Sequence, residues 1–198
     1  MSPLLLMLAC GDGTPAAVVI PKEPAPLSSE GIPGRSWRRM NVDQLRASIE
    51  RVTGGFGWTE EQDGEQVELF AALEGTLGKP DYLSATEEDL LPGLLFQKFL
   101  EDAASTACHA MMQVEPTRTD RALMVGVVLE DVPPSPKIDA ALSAALLRFH
   151  GRTLAADDPA LEPYRALLVE VYSRRGEMAP AWEALCVGLI THPDFYSY

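Results

Sequence analysis

Three cysteines and three histidines hold most of the chemical potential of this 198-residue chain. His109, His150 and His192 have no second ligand-type residue at helical or C-x-x-C spacing except Cys108, which adjoins His109. Adjacent residues on a helix point apart, so that pair cannot readily share a metal, and no metal site is expected. Gly75-Thr-Leu-Gly78-Lys79-Pro80 lacks both the four-residue spacing and the hydroxyl after lysine that a phosphate-binding loop requires. The acidic run Glu60-Glu61-Gln62-Asp63-Gly64-Glu65 invites a calcium loop. Placing Gly64 at the sixth position puts Thr59 first and Phe70 twelfth, where carboxylates are needed, so a solvated acidic turn is expected instead. There is no G-x-S-x-G or H-E-x-x-H string, and no catalytic residues are assigned.

The string Ser105-Thr-Ala-Cys108-His109 has the spacing of the c-type haem attachment motif with Ser105 replacing the first cysteine. It falls inside a long helical pattern flanked by apolar residues, so a structural helix is expected there and no cofactor. Cys108 continues the row Phe96, Leu100, Ala104, and Cys186 follows Trp182 by one helical turn. Both therefore sit at or near apolar faces. A Cys108–Cys186 disulfide would close a loop of about 80 residues, worth about 4 kcal/mol in the chain-entropy account. The alternative is two buried thiols acting as small apolar residues.

The third cysteine reads differently. Residues 2 to 10, Ser-Pro-Leu-Leu-Leu-Met-Leu-Ala-Cys, are too short to span a bilayer but fit the apolar part of a signal peptide. Met7-Leu8-Ala9-Cys10 resembles the lipobox of bacterial lipoproteins, which implies cleavage before Cys10 and diacylglycerol on its thiol. Residues 11–36 hold Pro15, Pro21, Pro24, Pro26 and Pro33 among glycines and serines, with no aromatic before Trp37. Such a stretch builds neither helix nor central strand and is expected to be a disordered, partly stiff tether. The basic cluster Arg35-Ser-Trp-Arg38-Arg39 is expected to be solvated charge at the edge of a domain spanning 37–198.

Within that domain the apolar period is helical, and an all-α fold of about seven helices is expected. Val42, Leu45, Ile49 and Val52 form one stripe, with Asn41 and Gln44 as a capping box and Gly54 as the stop. The spacing predicts further helices over 64–73, from Thr86 to about Met112, and from Thr119 through Val127. Ser135-Pro136 opens another that buries Ile138, Leu142, Leu146 and Phe149 and ends at Gly151. Asp158-Pro159 opens the next, with Leu161, Tyr164, Leu168 and Tyr172 inward. The last runs from Pro180 through Trp182, Leu185 and Leu189 and stops at Pro193. The loop Gly54-Gly55-Phe56-Gly57-Trp58 places two aromatics among flexible glycines. Phe56 and Trp58 are candidate partner contacts, with packing back onto the core as the alternative.

Charge narrows the partners. Lys and Arg number 16 against 29 Asp and Glu, a net charge of -13, which disfavours phosphate backbones and anionic lipid surfaces. At 46% hydrophobic residues the chain can bury a sizeable core.

Two segments carry a wider resemblance. Trp182-Glu-Ala-Leu-Cys186-Val-Gly-Leu-Ile-Thr-His192-Pro193-Asp194-Phe195-Tyr196 resembles the closing helix of helical domains in exported planctomycete and myxobacterial proteins that accompany cytochrome c-type domains. Arg38-Arg39-Met40-Asn41-Val42-Asp43-Gln44-Leu45 is similar to the helix that opens them. The resemblance covers about 25 residues and implies an exported helical domain without catalytic residues to carry over. The expected function is a membrane-anchored envelope lipoprotein, in the periplasm or at the outer cell surface, that binds or scaffolds a partner protein. An envelope enzyme or accessory redox subunit is the alternative.

Overall fold

The computed structural model describes residues 38–80, 83 and 86–198. The described residues fall in the unit Ser36–Tyr198. The expected signal segment 1–10, the lipidation site Cys10, the linker 11–36 and Trp37 lie outside them.

Helix α1 (Val42–Thr53) forms as its sequence dictates. The Asn41 side chain accepts from the Gln44 N–H at 2.7 Å, and the Gln44 side chain accepts from the Asn41 N–H at 3.1 Å. These two bonds use donors that a helix start leaves orphaned. At the other end Gly54 takes the left-handed conformation at φ 78°.

The next segment departs from expectation. The chain forms an antiparallel hairpin, β1 (Thr59–Gln62) with β2 (Glu65–Glu68), pairing Thr59 with Glu68 and Glu60 with Val67. Asp63 and Gly64 both have positive φ, 53° and 86°, so they form the two-residue Asp-Gly turn whose twist matches flanking strands. The helix expected over 64–73 shrinks to one turn, α2 (Leu69–Ala72). The Glu68 carboxylate starts it by accepting from the Phe70 and Ala71 N–H groups. The fold is thus mostly helical with a small two-stranded sheet, and not all-α.

Helix α3 (Leu94–Val114) starts eight residues later than Thr86 would place it. Two acidic residues of the stretch where it was expected to begin serve elsewhere. Glu88 accepts from the Val42 N–H at 3.1 Å, and Asp89 accepts from the Leu91 N–H at 3.0 Å. The helix expected from Thr119 is absent, because side chains have taken over the backbone bonds. Buried Glu115 accepts from the N–H groups of Leu123 (2.5 Å) and Met124 (2.9 Å). Arg121 donates to the carbonyls of Pro116 and Val127. The segment stays irregular yet buries Ala122, Leu123, Met124 and Val127.

Helix α4 (Pro136–His150) ends at Gly151, as its sequence predicts. A 3₁₀ turn over Pro159–Leu161 leads into α5 (Glu162–Arg175). Helix α6 (Met178–Thr191) starts two residues before Pro180, which still lies in the first turn, where its missing N–H costs nothing. Pro193 restarts the helix as α7 (Pro193–Tyr196). Helix α6 is the hub: α3, α4, α5 and α7 all pack on it. The disulfide Cys108–Cys186 joins α3 to α6 across a sequence separation of 78, with Cα atoms 5.9 Å apart.

The basic cluster is not all solvated. Arg39 is 2% exposed. Its guanidinium donates to the carbonyls of Leu77 and Asp89 and lies 4.7 Å from the Phe96 ring centroid. Its backbone N–H bonds Leu90, and it bridges Ser197. Side chain and backbone of this one residue therefore tie the domain entry to the loop before α3, to α3 itself and to the C-terminal corner.

Removing the Glu115 carboxylate strands two buried N–H donors, each costing about 1–3 kcal/mol. Glu115→Ala is expected to lower unfolding stability by about 2–4 kcal/mol, read as the urea midpoint. Glu115→Gln keeps an acceptor oxygen and loses less.

Candidate functional site

Cys108 is fully buried on α3 and its sulfur is bonded to Cys186 on α6. No thioether can form there, so the haem-attachment spacing has no chemistry to support. Trp58 is 5% exposed and packs edge-on to Phe70 with ring centroids 5.3 Å apart. Phe56 is half-buried against the same core. Trp58 thus packs onto the domain, and Phe56 keeps part of its surface exposed. The Thr53 hydroxyl fastens their loop by donating to the Phe56 carbonyl at 2.6 Å.

His109 stands on the outer side of α3, one residue past the disulfide. Its Nδ1 lies 3.3 Å from the Glu183 carboxylate of α6. Together they line an open groove of about 670 Å³ with Val171, Arg174, Arg175, Pro180, Ala184 and Val187. The floor is apolar. Two arginines from the last turn of α5, where cations suit the helix dipole, supply a basic rim in an acidic protein.

A second cluster forms where α4 ends beside the α6–α7 corner. His150 is the last residue of α4, His192 joins α6 to α7, and Asp194 lies in the first turn of α7. The two imidazoles face each other at 5.0 Å between centroids. Ligand-type atoms of His150, His192 and Asp194 all lie within 4.8 Å of one another. His150 Nε2 is 2.9 Å from the Leu189 carbonyl, which can only accept, so Nε2 carries the proton. Nδ1 then keeps its lone pair, buried and without a protein partner. His192 Nδ1 accepts from the Asp194 N–H at 3.1 Å and lies 3.8 Å from the Asp194 carboxylate. Arg152 approaches that carboxylate at 3.7 Å.

Burial holds the His150 imidazole below its ordinary value, and the neighbouring His192 adds to the effect, while the Leu189 carbonyl opposes it. Sequence spacing did not reveal this cluster. His150 and His192 belong to different helices, and Pro193 read as a stop when it opens a capped turn. The separation of His192 and Asp194 by two residues around a proline was the available signal.

The chain matches no protein-family model, no curated protein and no solved structure.

Below pH 6.5, the ordinary histidine value, the unfolded chain takes up a proton that folded His150 resists. The contribution of His150 to stability is therefore complete above that pH and declines as pH falls toward the lowered folded value. The urea midpoint is expected to drop on acidification through this window. His150→Gln should remove part of the drop, and an identical pH profile in that variant would show that His150 is not its source.

Proposed function

We propose that this protein is an exported, lipid-anchored docking module that holds a partner protein at a membrane surface. The observation that carries the reading is the buried disulfide between α3 and α6, since such bonds form and persist in oxidising compartments outside the cytosol. The lipobox-like Cys10 and the Pro-rich residues after it support an anchor and a tether. The α3–α5–α6 groove supports the docking role. Its apolar floor and the Arg174 and Arg175 rim suit an acidic amphipathic segment of a partner.

Two measurements test the anchor and the groove separately. Labelled fatty acid should appear on the full-length protein and place it in the membrane fraction, and Cys10→Ser should abolish both. Unlabelled, soluble wild-type protein would sink the anchor. Purification from native membranes in mild detergent should yield a stoichiometric partner. The double change Arg174→Glu and Arg175→Glu should weaken its capture at least tenfold while leaving the thermal midpoint within a few degrees. Undiminished capture would remove the groove from the reading.

A further inference from the structure

We propose that His150, His192 and Asp194 form a binding site for a divalent transition-metal ion of the zinc class. The donor set is two imidazole nitrogens and one carboxylate oxygen, which suits Zn²⁺, Co²⁺ or Ni²⁺, whereas Mg²⁺ and Ca²⁺ favour all-oxygen shells.

His150 is already prepared as a ligand. Metal-binding histidines commonly donate their second ring N–H to a backbone carbonyl, which fixes the tautomer and orients the ring. The Leu189 carbonyl does this at 2.9 Å and leaves Nδ1 as a buried lone pair that no protein group uses. His192 Nδ1 and the Asp194 carboxylate oxygen are 3.8 Å apart. A metal at the usual ligand distance of about 2.1 Å from each would see them at an angle near 130°, somewhat wider than tetrahedral. The widest separation in the set must close by about an ångström, within the reach of side-chain rotation at two partly exposed residues.

Two competing contacts are weak. The Asp194 N–H that His192 Nδ1 accepts is exposed and can turn to water. Arg152 holds Asp194 at 3.7 Å through a side chain that is 43% exposed and can swing outward. The net charge of -13 draws cations to the surface as a whole. Three protein ligands leave a fourth tetrahedral position for water, the arrangement of an open zinc site. The ion would pin the end of α4 to the α6–α7 corner.

The test is calorimetric titration of full-length, untagged, chelator-treated protein with Zn²⁺, with Co²⁺ absorption as a report on tetrahedral coordination. One equivalent of Zn²⁺ should bind with a Kd of about micromolar or tighter and raise the thermal midpoint. Asp194→Asn and His192→Asn should each weaken binding at least tenfold. Both variants preserve folding, because asparagine retains the capping ability of His192 and the shape of Asp194. His109→Gln, which alters the other exposed histidine, should leave binding unchanged. Stoichiometric Zn²⁺ binding that survives both asparagine variants, or the absence of binding by wild type, would overturn the site. Neither result bears on the lipid anchor or the groove.

Discussion

The close approach of α3 and α6 is the constraint on which the domain rests. A disulfide needs the two backbones within about 7 Å, and Cys108 and Cys186 meet it with Cα atoms 5.9 Å apart. Both helices bury small side chains. Ala103, Ala104 and Ala107 of α3 and Ala181 of α6 are fully buried. Larger residues are buried with them, Leu100 and Met111 on α3 and Trp182 and Leu189 on α6. The remaining helices arrange themselves about this pair, α1 against α3 and α4, α5 and α7 against α6. The bond also restricts the unfolded chain, because it closes a long loop, by about 4 kcal/mol in the chain-entropy account.

Where local signals agreed with burial, the elements were legible. The Asn41–Gln44 box, Gly54, Ser135-Pro136 and Gly151 mark real helix ends, because capping is decided within a few residues. Apolar periodicity located the faces of α1, α4 and α6 for the same reason. The errors share a cause. Charged side chains that read as solvated in the sequence serve as backbone partners in the fold. The acidic run is the exposed turn its composition suggests, but Asp63-Gly64 also joins two strands that replace most of the helix expected over 64–73. Glu88 caps a different helix from the one it precedes. Glu115 and Arg121 hold an irregular segment where periodicity suggested a helix. Arg39, read as edge charge, is buried. Each of these roles depends on a residue distant in sequence or on a turn that overrides the helical period, and neither leaves a mark in local spacing.

The same distinction applies to the sites. Cysteine count and matching apolar faces allow a Cys108–Cys186 pair or two buried thiols, and the packing of α3 on α6 brings the sulfurs together. Glycines permit the rings of Phe56 and Trp58 to point either way; Trp58 is buried against Phe70, while Phe56 is half-buried. His150, His192 and Asp194 come together only because α7 turns back against α4, a corner that Pro193 obscured. The groove beside His109 likewise needs three helices to exist before it has a floor.

The bridge at the domain entry has a mechanical consequence. Arg38 and Tyr198 exchange backbone hydrogen bonds, and Met40 bonds Tyr196, so the chain enters the domain alongside residue 198. Tension transmitted through residue 38 would load this short ladder first, and next the Arg39 side chain, before any core helix. The α3–α6 seam lies behind that clamp. A pull on the entering strand would peel away one edge of the domain while the cross-linked pair kept its packing.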